Sequence, residues 1–125
     1  MGYTSEEKEF GTQIQQSFGS GTLLPLESTQ VIQPLRSYDA SASTDVGDVS
    51  WVVPTVGLGA ATWVPGTAAH SWQAVAAGGT SIGSKGMMVA AKTMALTAID
   101  LFSNPATIEE SWKELRKKQG ENFKY

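Results

Sequence analysis

The sequence predicts an α/β chain, with one helix at the start, a few strands in the middle and two helices at the end. Three observations point there. Phe10, Ile14 and Phe18 recur at i, i+4 and i+8, the spacing of one helix face. The run "WVVPTVGLGAATWVP" (51–65) is apolar, β-branched and aromatic, as in a buried strand. Asn104-Pro105 then separates two further segments of helical periodicity, with Asn suited to the N-cap and Pro to the first helical position.

The opening helix begins at Thr4, which stands three residues before Glu7 as in a capping box, and "GSGT" (19–22) ends it. "LLPLESTQVIQPL" (23–35) is β-like, but Pro25 and Pro34 confine it to edge or irregular strands. "RSYDASASTDVGDVS" (36–50) is a loop of capping residues with room for one helical turn after Asp45. Gly57 and Gly59 mark close backbone approach within the central strand, and "SWQAVA" (71–76) reads as another short strand. Ser81 is placed as the cap of a long helix from Ile82 to Phe102, whose broad apolar face holds Met87, Val89, Met94, Ala95, Ala98 and Phe102. In the last helix Ile108, Trp112 and Leu115 form the apolar stripe. Its acids lie early, Arg116, Lys117 and Lys118 lie late as the helix dipole favours, and Gly120 closes it before a loose tail, "ENFKY". The organisation expected is a single unit over residues 1–125.

The 125 residues contain no cysteine, so disulfides, thiolate metal sites and thiol nucleophiles are excluded. A net charge of -3 gives no electrostatic reason to expect nucleic acid as a partner. The polar, acidic start and the absence of a long charge-free apolar run predict a cytoplasmic protein with no membrane partner. Charged residues make up 17% of the chain, against about 25% in an ordinary soluble domain. The deficit is local, since Lys85 and Lys92 are the only charges between Val49 and Ile99. Such a segment is expected to be covered by another subunit or by further polypeptide.

The candidate chemistry is sparse. Ser71 adjoins His70, the one histidine, but sequence neighbours on an extended chain point apart and make no nucleophile–base pair. "GGTSIGSKGM" (78–87) resembles a phosphate-binding loop. Its lysine falls one residue late, however, and Gly86 stands where a hydroxyl is needed, leaving a glycine-rich helix start with residual anion affinity. Asp45, with Asp48 beside it in the loop, has two readings, a helix N-cap or a site carboxylate. His70 likewise reads either as a hydrogen-bonded structural histidine or as one metal ligand. No H-x-D or H-E-x-x-H cluster accompanies it.

Two stretches carry a resemblance. "STDVGDVSWVVPTVGLGAATWVPGTAAHSWQAVA" (43–76) and "SIGSKGMMVAAKTMALTAIDLF" (81–102) closely resemble the C-terminal part of the aminoacylase and carboxypeptidase-type amidohydrolases, metallopeptidases that use two divalent cations. The resemblance implies the C-terminal portion of a three-layer αβα, zinc-exopeptidase-like catalytic domain, lacking the lid domain and the N-terminal half. It implies His70 as the last metal ligand, with Ser43, Thr44 and Asp45 in the active-site wall or behind it. Zinc or manganese is the implied metal, and the implied substrate is a small N-acyl amino acid, aminobenzoyl-glutamate first. The family's H-x-D pair, bridging aspartate and Glu-Glu general base have no counterpart here. The chain alone is therefore expected to hold no metal pair, to supply no catalytic residue and to be inactive. Its expected partner is the missing remainder of the catalytic domain or another subunit. The alternative is a non-catalytic interaction or dimerisation module with an apolar face.

Overall fold

The computed structural model describes residues 2–19, 23–35 and 44–124. Helices α1 (Ser5–Gln16), α2 (Val46–Val52), α3 (Trp72–Gly78), α4 (Ser81–Ser103) and α5 (Pro105–Gln119) follow in chain order, with a 3-10 turn at Leu26–Gln30 between α1 and α2. No strand occurs among the described residues, so the α/β class, the three-layer sheet architecture and the few strands are overturned. The helical ends of the chain stand. The middle is where the structure differs from the sequence reading.

Each misassigned stretch has a local reason. Residues 26–30 close a 3-10 turn after Pro25, in which the Ser28 N–H donates to the Pro25 carbonyl at 3.0 Å. The short helical turn expected after Asp45 continues through Trp51 and Val52, drawing the front of the expected central strand into α2. A strand is stable only when a neighbour takes up its backbone donors and acceptors. Residues 54–60 instead run without helix or ladder. "WQAVAAG" is alanine-rich, and the Ser71 hydroxyl accepts from the Ala74 N–H at 3.2 Å, so a capped helix replaces the expected strand.

The chain divides into two compact units. The first comprises residues 1–35 and 59–92, the second residues 36–58 and 93–125, so α4 passes from one to the other after Lys92. In the first, Ile14, Val64, Ala77 and Ile82 form the buried centre, with Tyr3, Phe10, Phe18 and Leu26 packed around it. The capping box at Thr4 is complete: its hydroxyl accepts from the Glu7 N–H, and the Glu7 carboxylate accepts from the Thr4 N–H at 2.7 Å. Gly86 lets α4 lie directly on the 61–62 backbone, since a Cβ there would fall 2.2 Å from the Ala61 carbonyl oxygen.

In the second unit Pro105 opens α5 and Leu115 is its buried residue. Gly120 ends the helix at a φ of 73°, a conformation that glycine adopts without strain. The tail is less loose than expected, because the Phe123 ring stacks on Trp51 with centroids 5.4 Å apart. The Gln119 amide also donates to the Trp51 carbonyl at 2.5 Å. By length and composition alone α4 could cross a membrane, although it carries Lys85, Lys92 and Asp100.

Candidate functional site

The loop at 64–71 is built by local hydrogen bonds before any site exists. The Thr67 hydroxyl and N–H both donate to the Val64 carbonyl, at 2.7 and 3.1 Å, closing a turn through Pro65 and Gly66. Gly66 has a φ of 91°, and the Phe18 ring lies close enough that a Cβ there would meet it at 3.2 Å. The Ser71 hydroxyl then donates to the Ala68 carbonyl at 2.7 Å while capping α3. Between these two fixed points stands His70.

His70 has a φ of 58° and is the only described residue other than glycine with a positive φ. A left-handed backbone is uncommon for a residue with a Cβ, though histidine tolerates it better than most. It follows here from the requirement to turn the chain into α3. The imidazole is exposed and lies in an open depression with Trp63, Ser71, Trp72, Ala74 and Val75. It is therefore neither sealed in the interior nor buried as a structural histidine.

Helix α1 holds this loop from below. Buried Gln15 donates its amide to the Pro65 carbonyl at 3.2 Å and to the Leu24 carbonyl at 2.7 Å. Gln73, in the first turn of α3, donates to the Ser17 hydroxyl at 3.1 Å. Sequence reasoning missed Gln15, which occupies a helical position next to Ile14 and has no motif to mark it. Its only signal was a polar residue beside an apolar stripe.

The other candidates fall elsewhere. Ser43 lies outside the described residues. Thr44 and Asp45 belong to the second unit, and His70 to the first. The Thr44 hydroxyl accepts from the Val46 N–H at 3.3 Å. Asp45 occupies the cap position of α2, where its carbonyl, and not its carboxylate, accepts from Asp48 and Val49. Among the described residues no three side chains of His, Asp or Glu gather as a metal-holding group.

The glycine-rich stretch at 78–86 resolves differently from its sequence reading. Thr80, not Ser81, caps α4: its hydroxyl accepts from the Ile82 N–H at 3.2 Å and its carbonyl from Ser84. Ser81 donates to Glu7 Oε1 at 2.6 Å, and Lys85 Nζ lies 2.5 Å from Glu7 Oε2. The protein's own carboxylate thus occupies the place where a phosphate was conceivable. The Lys85 ammonium, then the Ser81 hydroxyl and the Thr4 N–H, hold the Glu7 pKa down to about 2. The Tyr3 hydroxyl is buried, and desolvation raises its pKa, against the opposing effect of the Thr29 side chain.

Comparison with known proteins now bears on the loop. A stretch of 74 residues, 59% of the chain, is 47% identical to one of the subunits of p-aminobenzoyl-glutamate hydrolase from Escherichia coli (strain K12). Any stretch of 74 residues in a chain of 125 includes residues 52–74, so the His70 loop lies within it. The chain is a partial relative of that hydrolase subunit. It spans 15% of the subunit's length. No protein-family model matches the chain, and no solved structure does.

Proposed function

We propose that this chain supplies one portion of a two-metal amidohydrolase, with His70 as a single ligand to one cation and the remaining ligands coming from other polypeptide. The observation that carries the proposal is the coincidence at the 64–71 loop. The stretch most certainly shared with the hydrolase subunit is the one that presents an exposed imidazole on a fixed, hydrogen-bonded turn. Neutral imidazole suits zinc and manganese alike. One imidazole makes one coordinate bond, and among the described residues it belongs to no group of three or more His, Asp or Glu side chains. The donor set therefore fits a shared site and not a self-sufficient one.

When bound, the two cations would lower the pKa of a water and polarise the scissile carbonyl. This chain's own part is positional. The Thr67–Val64 turn and the Ser71 cap fix the backbone on either side of His70, while Gln15 and Gln73 tie the loop and α3 to α1. Pre-positioning of this kind keeps the entropic cost of ordering the ligand out of the binding step. Trp63 and Trp72 line the same open depression as the imidazole. The substrate class is an N-acyl amino acid, and p-aminobenzoyl-glutamate is the first candidate on the strength of the relative's name.

The test is a chimera in which the matched 74 residues of the E. coli subunit are exchanged for those of this chain. Manganese-dependent hydrolysis of p-aminobenzoyl-glutamate is expected, with His70→Ala lowering it by at least 100-fold. A chimera as active with alanine as with histidine would refute the assignment of His70.

A further inference from the structure

Helix α4 carries an apolar stripe that stands exposed among the described residues. Met87, Ala91, Met94, Ala95, Ala98 and Phe102 fall at i, i+4, i+7, i+8, i+11 and i+15, the recurrence of one helix face over more than four turns. All six are exposed, Phe102 at 86%. Its buried residues, Ile82, Gly83 and Gly86, lie off this stripe. The stripe is free of charge, and small alanines at 91, 95 and 98 are interspersed along it with Met87, Met94 and Phe102. Helix faces of this kind are close-packing surfaces, and leaving one in water is unfavourable in proportion to its apolar area.

What covers it is indicated by the length of the relative. The hydrolase subunit contains several times as much polypeptide as this chain matches, and the match spans 15% of it. Resting on the function proposed above, we propose that the α4 stripe is the docking surface for the unmatched part of a hydrolase like this relative, which seats against Ala91, Ala95 and Ala98. The same contact would bring the other cation ligands to the assembly that includes His70. It also accounts for the long uncharged segment, because a surface that is buried on assembly has no use for charge.

The test uses the full chain co-expressed with the E. coli subunit lacking its matched 74 residues. Co-elution is expected, with Ala95→Glu reducing it at least tenfold while Lys92→Ala, off the stripe, leaves it intact. Ala95 is exposed and glutamate is a good helix former, so the variant's circular dichroism should match that of the parent. As a second readout, peroxide oxidation of Met87 and Met94 should slow at least fivefold in the complex. Unchanged co-elution of Ala95→Glu would overturn the docking surface, as would failure of the two polypeptides to assemble. Self-association or binding to phosphatidylcholine vesicles that Ala95→Glu abolishes would replace the occupant with a second copy or a lipid surface. The function proposed above is judged separately by the chimera, which needs no assembly in trans. A chimera inactive with His70 in place would remove that function even where docking is observed.

Discussion

The two units have similar helical content and unequal interiors. The first buries Ile14, Val64, Ala77 and Ile82 and ties α1 to α4 through the Glu7–Lys85 ion pair. The second buries Leu115, leaves Val46, Val49, Trp51, Val52, Ile99 and Phe102 substantially exposed, and holds its tail by one stacked ring pair. Apolar composition alone therefore does not make a core. In the first unit small residues let backbones meet, as at Gly83 and Gly86, where a Cβ would fall within 2.3 Å of a neighbouring carbonyl oxygen. In the second, Gly47 has nothing within 4 Å of such a position. The first unit has gathered a small buried centre within the chain, although Ile32, Leu35, Trp72 and Val75 stay exposed in it. The second buries less and also presents apolar surface.

The largest expected contrast comes from matched isoleucines. Ile82→Ala should destabilise the first unit by about 3 kcal/mol, because it removes a side chain that is 1% exposed and leaves a cavity. Ile99→Ala in the second should change stability by no more than about 0.5 kcal/mol. Urea unfolding of both variants measures the difference, and equal effects would break the comparison. Glycines sharpen it with a change of sign. Gly86→Ala should cost about 2 kcal/mol through overpacking against Ala61, whereas Gly47→Ala, inside α2 with open space around it, should stabilise by about 0.5 kcal/mol.

Acid probes the first unit selectively. Folding lowers the Glu7 pKa from an ordinary 4.5 to about 2, so the unfolded chain binds this proton more readily than the native one. The resulting stability is fully present above pH 4.5 and is lost as pH falls towards 2. Glu7→Gln should therefore lower the urea midpoint at pH 7, by the equivalent of about 2 kcal/mol for a charged hydrogen-bonded group, and the gap to the parent should close by pH 2. A gap that persisted undiminished into acid would show that the carboxylate charge is not what matters. In the tail, Phe123→Ala should cost about 1 kcal/mol, less than Ile82→Ala, Gly86→Ala or Glu7→Gln.

The sequence is legible where the physics is local. The Thr4–Glu7 capping box, the Asn104-Pro105 junction and the Gly120 stop each depend on residues within one or two turns, and each stands in the structure. The strands are misread because β character in "WVVPTVGLGAATWVP" reflects burial against a neighbour, and no neighbouring strand exists among the described residues. The same dependence hides Gln15 and Glu7, whose partners lie 50 and 78 residues away. His70 is legible as a candidate because it is the one histidine. Its exposed turn and its anchoring to α1 are not, since both depend on contacts across the fold. Asp45 reads either as a cap or as a site carboxylate, and its backbone does the capping while its side chain makes no cap bond.

Metal content decides the central claim most directly. Purified from manganese-supplemented medium, the chimera of the E. coli subunit carrying this chain's matched residues should hold two cations per active unit by elemental analysis. His70→Ala should retain one or fewer, with no change in folding by circular dichroism. An unchanged stoichiometry of two in the alanine variant would show that this imidazole holds no cation, and the account of the 64–71 loop as a metal-presenting turn would be wrong.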